Sequence, residues 1–280
     1  MLHGKKESEN ILRSVNNYMK KYLRIYKRLL QLNFAALVGY RANFVNNIIS
    51  SVSWSLFSFI SIFLLTSRTP VLFGWKREEI ILLNGVYAVV IGLFHSIFSK
   101  NFEQLTHLIE RAELDSILIK PADSQFQVSF QLFSYTALVR VVLGLLFVVY
   151  FSFSLHLPFS VSYVLGFFGL LIVSLMLLYS IWLFILTFLI WNPQLSNLVV
   201  VLFSFSGMAK YPYDMYRRTG EVLAGVLLPL TLITVVPVHM LYQKIIWNEI
   251  GVFFFCTFLF FSIARWFWFF ALKFYASGSS

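Results

Sequence analysis

The chain has 280 residues, of which 59% are hydrophobic and 12% are charged, with a formal net charge of +10. A soluble domain carries about 25% charged and 45–50% apolar residues, so a water-soluble globule could not bury this much apolar surface. The same hydrophobicity excludes a disordered chain. The composition therefore predicts an all-α protein that crosses a membrane several times.

The first 41 residues hold a large share of the positive charge. They contain nine of the 22 Lys and Arg residues and two acids, Glu7 and Glu9. Between Ile11 and Val38 these bases alternate with Leu, Ile, Tyr and Phe, which is typical of an amphipathic helix on a membrane surface. The positive-inside rule predicts a cytoplasmic segment over 1–41. A nucleic-acid-binding arm is disfavoured because the remainder of the chain belongs in a membrane.

Stretches without charged residues locate the membrane spans, because a spanning helix needs about 20 apolar residues. The run 141–209 is too long for one helix, and Pro158 and Pro193 divide it because proline stops a helix. Charge-free runs elsewhere supply the other spans. We predict six spans within a membrane domain over 42–273. They lie at about 43–66, 79–99, 128–154, 159–190, 195–209 and 250–272.

The run 222–243 allows two interpretations, since Pro229 and Pro237 interrupt it. It is either a further span or a re-entrant pair of short helices, which needs cover from protein or a watery cavity. Basic residues near the C-terminus, Arg265 and Lys273, favour a cytoplasmic end. We therefore predict six spans, a re-entrant helical hairpin over 211–243, a cytoplasmic tail over 274–280, and both termini in the cytoplasm.

The loop 100–127 between the second and third spans is the longest charged segment outside the N-terminus. Its part Asn101–Ile119 is amphipathic, and Lys120-Pro121 ends the pattern. Acidic residues outnumber basic ones, which disfavours docking on anionic lipid. The pattern indicates a helix that docks on a cytoplasmic protein; a plain connecting loop is the alternative.

Catalytic and ligand-binding motifs are absent from the sequence. There is no G-x-x-x-x-G-K-[ST] phosphate loop, no H-E-x-x-H and no G-x-S-x-G. The single cysteine, Cys256, builds no thiolate metal site. Glu103, His107 and Glu110 share one helical face at a metal-ligand spacing, although a solvated face is the simpler interpretation. We therefore predict no catalytic, cofactor or metal site.

Arg140 is a candidate functional residue inside the membrane. If the third span begins near Gln127, Arg140 lies about 20 Å along it, and an intramembrane arginine is costly and often functional. Alternatively the helix starts later and Arg140 snorkels to the inner interface. The serines of the first span either pack helices or line a translocation path. These serines are Ser50, Ser51, Ser53, Ser55, Ser58 and Ser61.

Three segments resemble the permease subunits of type-2 ABC exporters, particularly those related to viologen and drug exporters. Residues 73–80 (FGWKREEI) resemble the start of that family's second span. Residues 109–121 (IERAELDSILIKP) resemble its I-x-x-G-x-L-D-x-x-L-x-[KR]-P loop, with Ala112-Glu113 where a glycine is usual. Residues 211–216 (YPYDMY), with Pro229 and Pro237 after them, resemble its segment before the last span.

The resemblance implies six spans, an interfacial N-terminal helix, and a coupling helix at 101–121 that seats on separate ABC ATP-binding subunits. It implies that two permeases pair, as a homodimer or with a related paralogue, in the bacterial cytoplasmic membrane. ATP and Mg²⁺ would bind in the partner and no cofactor in this chain. The expected coupling residues are Glu110, Glu113, Leu114, Asp115, Lys120 and Pro121. The expected re-entrant region includes Tyr211, Pro212, Pro229 and Pro237.

Two other functions remain open from the sequence. One is a non-transporting membrane scaffold or immunity-type protein, and the other is a membrane-embedded enzyme acting on lipid. The enzyme needs paired polar catalytic groups facing one cavity, and the residues supply no such pair beyond Glu103, His107 and Glu110. The sequence does not identify a cargo.

Overall fold

A computed structural model of the protein describes residues 2–39, 41–68, 71–72, 74–158, 160–195, 197–217, 220–244 and 246–275. Within these ranges the structure is helical apart from one short antiparallel pair of strands. The all-α prediction is therefore confirmed. The predicted tail over 274–280 lies outside the described residues from position 276 onward.

The first half of the chain forms two long helices, a small hairpin and a third long helix. They are α1 (Leu2–Gly39), α2 (Arg41–Thr66), β1 (Val71–Leu72), β2 (Trp75–Lys76), α3 (Arg77–Phe94) and α4 (Lys100–Glu110). A π-helical turn, His95–Ser99, joins α3 to α4 without a break. The short helices α5 (Asp115–Leu118) and α6 (Ser124–Phe130) follow.

The second half is a bundle of longer helices with short 3₁₀ turns at their ends. The helices are α7 (Leu138–Ser154), α8 (Val161–Thr187), α9 (Leu198–Ser206), α10 (Tyr213–Arg217), α11 (Glu221–Leu241) and α12 (Trp247–Leu272). The 3₁₀ turns are Tyr135–Ala137, Phe188–Ile190 and Gly207–Lys210.

Five helices in the described part of the chain are long and apolar enough to cross a membrane. They are Ala42–Thr66, Arg77–Glu110, Tyr135–Ser154, Val161–Ile190 and Trp247–Leu272. The predicted span at 195–209 falls on the shorter apolar helix Leu198–Lys210. At 1.5 Å per residue that helix is about 20 Å long, against a hydrocarbon core of about 30 Å. A multi-pass membrane protein is confirmed, and the count of six stays a prediction.

The helix predicted over 128–154 is interrupted between α6 and α7. The side chain of Asn101 donates to the Leu132 carbonyl and accepts from the Leu132 N–H, both at 2.8 Å. The Ser134 N–H donates to the Ser96 carbonyl at 2.8 Å. These bonds satisfy backbone groups that a continuous helix would have satisfied internally. A neighbouring helix thus stabilises a break that local sequence does not indicate.

Contacts between helix ends fix the direction of each helix. We call the end that carries residues 111–123 the loop end, and the end that carries β1 and β2 the hairpin end. Both α3 and α12 run from the hairpin end to the loop end, because Glu79 pairs with Lys244 and Asp123 pairs with Arg265. Helix α7 runs the opposite way, since the Pro158 carbonyl beyond it accepts from Gln243 near Lys244.

Helices α3 and α7 approach each other closely through glycines. A Cβ on Gly144 would lie 2.9 Å from the backbone nitrogen of Val89, and one on Gly92 would lie 3.0 Å from that of Val141. Small residues permit such approach between membrane helices, where packing rather than hydrophobic exclusion drives association. Helix α3 is consequently buried along most of its length.

Helix α11 runs through both of its prolines, so Pro229 and Pro237 do not divide it into short helices. Pro237 has no N–H, which leaves the carbonyl four residues earlier, at Ile233, without its helical donor. The Ser174 hydroxyl of α8 donates to that carbonyl at 2.7 Å. Side chains of neighbouring helices allow proline inside membrane helices in this way.

Replacing Gly144 by alanine will destabilise the protein. The added Cβ collides with the Val89 backbone, so α3 and α7 must separate, and overpacking of this kind costs about 1–3 kcal/mol. The measurement is the thermal unfolding midpoint of the detergent-solubilised protein. Gly169→Ala in α8 is the control, because nothing lies within 4 Å of its added Cβ and alanine favours a helix. Equal midpoints for the two variants would contradict this packing.

Candidate coupling loop and transmembrane cavity

The loop end begins where α4 stops in a left-handed turn at Ala112. Ala112 has φ of 53°. The Glu113 N–H donates to the Leu108 carbonyl at 2.8 Å, and the Ala112 N–H donates to the Ile109 carbonyl at 3.1 Å. This is the Schellman arrangement, whose left-handed position usually holds glycine. The turn divides the segment predicted as one helix over 101–119 into α4 and α5, so that prediction is wrong.

The loop 111–123 is held first by the N-terminal helix. The Lys21 ammonium donates to the Pro121 carbonyl at 3.0 Å, and the Tyr22 hydroxyl accepts from the Asp123 N–H at 3.2 Å. The Tyr22 ring also packs edge-on against Phe126 with centroids 4.8 Å apart. Helix α1 therefore lies at the loop end of the bundle.

The C-terminal part of the chain holds the same loop from the other side. Arg265 donates through two nitrogens to the Asp123 carboxylate, at 2.8 and 3.2 Å. The buried Trp268 indole donates to the Ser124 hydroxyl at 3.1 Å. The Tyr275 hydroxyl accepts from the Leu114 N–H at 3.1 Å. Contacts from both ends of the chain thus fix the position of the loop.

Asp123 is held by the Arg265 guanidinium and by the first turn of α6. Partial burial raises its pKa, but the hydrogen bonds from Arg265 and from the Phe126 N–H outweigh burial and hold the pKa below its ordinary value of 3.8. Asp123 also caps the N-terminus of α6 through the Phe126 N–H, at 2.9 Å. Its charge therefore stabilises the joint between the loop, α6 and α12.

The predicted coupling residues occupy different environments. Glu110 lies 3.3 Å from His107 Nδ1 at the surface, and Asp115 begins α5. Glu113, Lys120 and Pro121 are exposed.

Leu114 and Ile119 of the same loop differ sharply in exposure, and the predicted coupling role of the loop residues stays a prediction. Leu114 is fully buried, so its side chain packs inside the protein. Ile119 is 81% exposed and was not among the predicted coupling residues. An exposed branched aliphatic side chain on an ordered loop suits a contact with another protein. The exposure of Ile119 is visible only in the structure, so local sequence could not reveal it.

A cavity of about 630 Å³ lies between α2, α3, α9 and the start of α7. One face of α2 contributes serines at helical spacing, namely Ser50, Ser51, Ser55 and Ser58. Ser58 also donates to Asn84 at 3.0 Å, so these residues both pack helices and line the cavity. The volume falls within the range of about 300–1,000 Å³ typical of ligand sites.

Arg140 lines this cavity from the first turn of α7. The later helix start considered for the third span is the one found, and the guanidinium lies 3.5 Å from His95 Nδ1. Lys210 lines the same cavity, with its ammonium 5.1 Å from the centre of the Tyr87 ring. Sequence reasoning missed Lys210 because it stands at the end of an apolar run, where a loop was expected.

Two of the predicted re-entrant residues, Tyr211 and Pro212, precede α10, and the other two, Pro229 and Pro237, lie within α11. Tyr211 is partly buried and Pro212 is buried, just before α10. In the same region the Trp75 indole donates to Asp214 at 3.1 Å and stacks on His239 with centroids 5.1 Å apart. Whether 211–243 re-enters the membrane stays a prediction.

These features define a multi-pass membrane protein with a cavity of mixed polar and apolar lining between its helices and an ordered loop at one end. The sequence pattern of the family described as ABC-2 family transporter protein matches residues 52–279, and the chain belongs to that family. It is the permease subunit of an ABC transporter, a membrane transport component. No curated protein and no solved structure matches the chain.

Substituting glycine for Ala112 will stabilise the protein by about 1 kcal/mol, because a left-handed conformation costs a residue with a Cβ roughly that much. The unfolding midpoint in detergent should rise. Ala122→Gly is the control in the same loop, since Ala122 has no positive φ. Glycine there only increases the conformational entropy of the unfolded chain, which lowers stability. A fall in stability for Ala112→Gly would contradict the turn.

The Asp123–Arg265 pair will make stability depend on pH. The pKa of Asp123 is lowered by folding, so its contribution is complete above the ordinary pKa of 3.8 and is lost as the pH falls through the folded value. The unfolding midpoint of Asp123→Asn should therefore lie below wild type at pH 7, and the gap should narrow as the pH drops below about 4. Glu113→Gln, an exposed position, is the control. A gap that does not change with pH would contradict this role.

Proposed function

We propose that the protein is the permease of an exporter whose cytoplasmic ABC ATP-binding subunits dock on the loop around 101–121. ABC-2 permeases typically work with such subunits. The continuous helix Arg77–Glu110 carries the proposal: it joins the loop to the cavity wall. At 1.5 Å per residue this helix is about 50 Å long.

The same helix contributes Tyr87, Ile91 and His95 to the cavity. A displacement of the loop therefore reaches the cavity through a single rigid element. The π turn at His95–Ser99 lies within the part of the helix that lines the cavity, and such turns often occur at functional positions. The contacts of the loop with Arg265 and Tyr275 support transmission of a loop displacement to the cavity, because a flexible loop would move without displacing the helix.

Six crossings of the membrane follow from the same proposal. Helix α8 ends near the loop end, where Tyr179 bonds Gln125, and α12 begins near the hairpin end. The segment between α8 and α12, which includes α9 and α11, must then cross the membrane once in total. That crossing and the five long helices make six. Both terminal segments contact the loop 111–123, which supports two cytoplasmic termini in the bacterial inner membrane.

A second permease copy, or a related paralogue, would complete the translocation path. Helix α2 lines the cavity with its serine face yet leaves most of its apolar surface uncovered. ATP and Mg²⁺ would bind in the partner subunits, since this chain has no phosphate loop. We do not assign a cofactor to the permease.

Changing Ile119 to aspartate will weaken capture of the ATP-binding subunit. A buried contact residue at an interface contributes about 2 kcal/mol or more, which is about 30-fold in affinity. The measurement is co-purification of a P-loop ATPase with the tagged permease from its native host, together with ATPase activity in liposomes. Val71→Asp is the matched control, because Val71 is also an exposed aliphatic residue but lies at the hairpin end.

The expected pattern is loss for Ile119→Asp and retention for Val71→Asp. A wild-type permease that captures no P-loop ATPase would overturn the proposed function. Equal loss of ATPase capture in both variants would show that the loop is not the docking surface.

A further inference from the structure

Basic side chains outnumber acidic ones among the residues that line the cavity. Among its lining residues Lys100, Arg140 and Lys210 are basic and Glu103 is acidic. Glu103 accepts a hydrogen bond from Ser99 at 3.2 Å, near the loop end. Within the part of the chain whose side chains are described, no carboxylate forms an ion pair with Arg140 or Lys210.

The depth of these cations makes their lack of counter-charge significant. Lys210 lies level with Tyr87, ten residues into the helix that begins at Arg77, or about 15 Å at 1.5 Å per residue. Arg140 lies beside Gly92, further toward the loop end, and about 8 Å into the span that begins at Tyr135. A charge at membrane depth is costly unless it pairs or faces water.

The donors available in the cavity match an oxyanion. Arg140 has five N–H donors in a planar fork that suits carboxylate or phosphate, and His95 is its nearest hydrogen-bonding partner. Ser50 and Ser51 add hydroxyl donors from α2. The Lys210 ammonium contacts the Tyr87 ring rather than an acid.

An apolar wall lies beside these donors. Trp54, Ile91 and Phe203 line the same cavity, and Trp54 is largely exposed on α2. A ligand with a charged head and an apolar tail can therefore satisfy both surfaces at once. A cationic ligand would meet Arg140 and Lys210 with like charge.

We propose that the cavity binds the anionic headgroup, a carboxylate or a phosphate, of an amphiphilic molecule between Arg140 and Lys210, with its tail against Trp54 and Phe203. The role of that molecule as exported cargo rests on the proposed function, whereas its binding does not. The headgroup belongs either to a membrane phospholipid or to a separate amphiphile.

The test is equilibrium binding to the full-length protein in a neutral detergent, followed by Trp fluorescence. The probes are dodecyl phosphate, its cationic counterpart dodecyltrimethylammonium, and inorganic phosphate. Dodecyl phosphate should bind at least about tenfold more tightly than either of the other two, because the cationic probe cannot make a charge-assisted hydrogen bond with the two bases and inorganic phosphate has no apolar tail to bury. Equal binding of the cationic probe would overturn the proposal.

Variants locate the headgroup. Arg140→Gln and Lys210→Gln should each weaken dodecyl phosphate binding about tenfold, and Arg140→Lys should restore part of it. Arg68→Gln removes an exposed charge outside the cavity and should change nothing. Because Lys210→Gln is an independent variant, misfolding of Arg140→Gln does not remove the test. Unchanged affinity in folded Lys210→Gln would overturn the site.

The two sources are separated by competition with phosphatidylglycerol in nanodiscs. Displacement of dodecyl phosphate by this lipid assigns the site to membrane phospholipid, and no displacement assigns it to a separate amphiphile; both outcomes support the headgroup site. No ATPase enters these measurements. Anion-selective binding without ATPase capture would leave this inference standing and overturn the proposed function, and the reverse result would overturn this inference alone.

Discussion

Backbone polar groups inside a membrane must find partners within the protein, and this constraint determines where helices break, bend and meet. The break before α7 is possible because Asn101 bonds both polar groups of the Leu132 backbone. Helix α11 passes through Pro237 because Ser174 bonds the Ile233 carbonyl. In each case one polar side chain on a neighbouring helix replaces a missing helical bond. The bundle is therefore linked through its irregular points as well as through its apolar faces.

The helix Arg77–Glu110 benefits most from this arrangement. Glycines bring α7 against this helix. Nearer the loop end, Asn101 and Ser96 bond the backbone at the break before α7. The loop beyond Glu110 is hydrogen-bonded to both terminal segments. The same helix forms one wall of the cavity, so under the proposed function a displacement of the loop would reach the cavity through it.

The sequence was sufficient to predict the features that depend on apolar content and local charge, namely the helical class and most of the membrane spans. Most of the predicted spans fall on long helices, since burying about 20 apolar residues needs no knowledge of neighbours. It failed where a distant residue decides the outcome. Nothing near 131–134 indicates a break, because the partner is Asn101, and nothing near Pro237 indicates a continuous helix, because the partner is Ser174. Leu114, one of the predicted coupling residues, is buried, and its backbone N–H donates to the Tyr275 hydroxyl; its role in coupling stays a prediction.

The placement of charge separates the ends of the bundle from its interior. At the hairpin end Glu79 pairs with Lys244 at 2.7 Å, and at the loop end Asp123 pairs with Arg265 at 2.8 Å. Each of these pairs joins distant parts of the chain, so their charges stabilise the fold. Arg140 and Lys210 lie between the two ends, where pairing would matter most, and no described carboxylate neutralises them. An anion bound between Arg140 and Lys210, as we propose, would supply the counter-charge that these two cations lack.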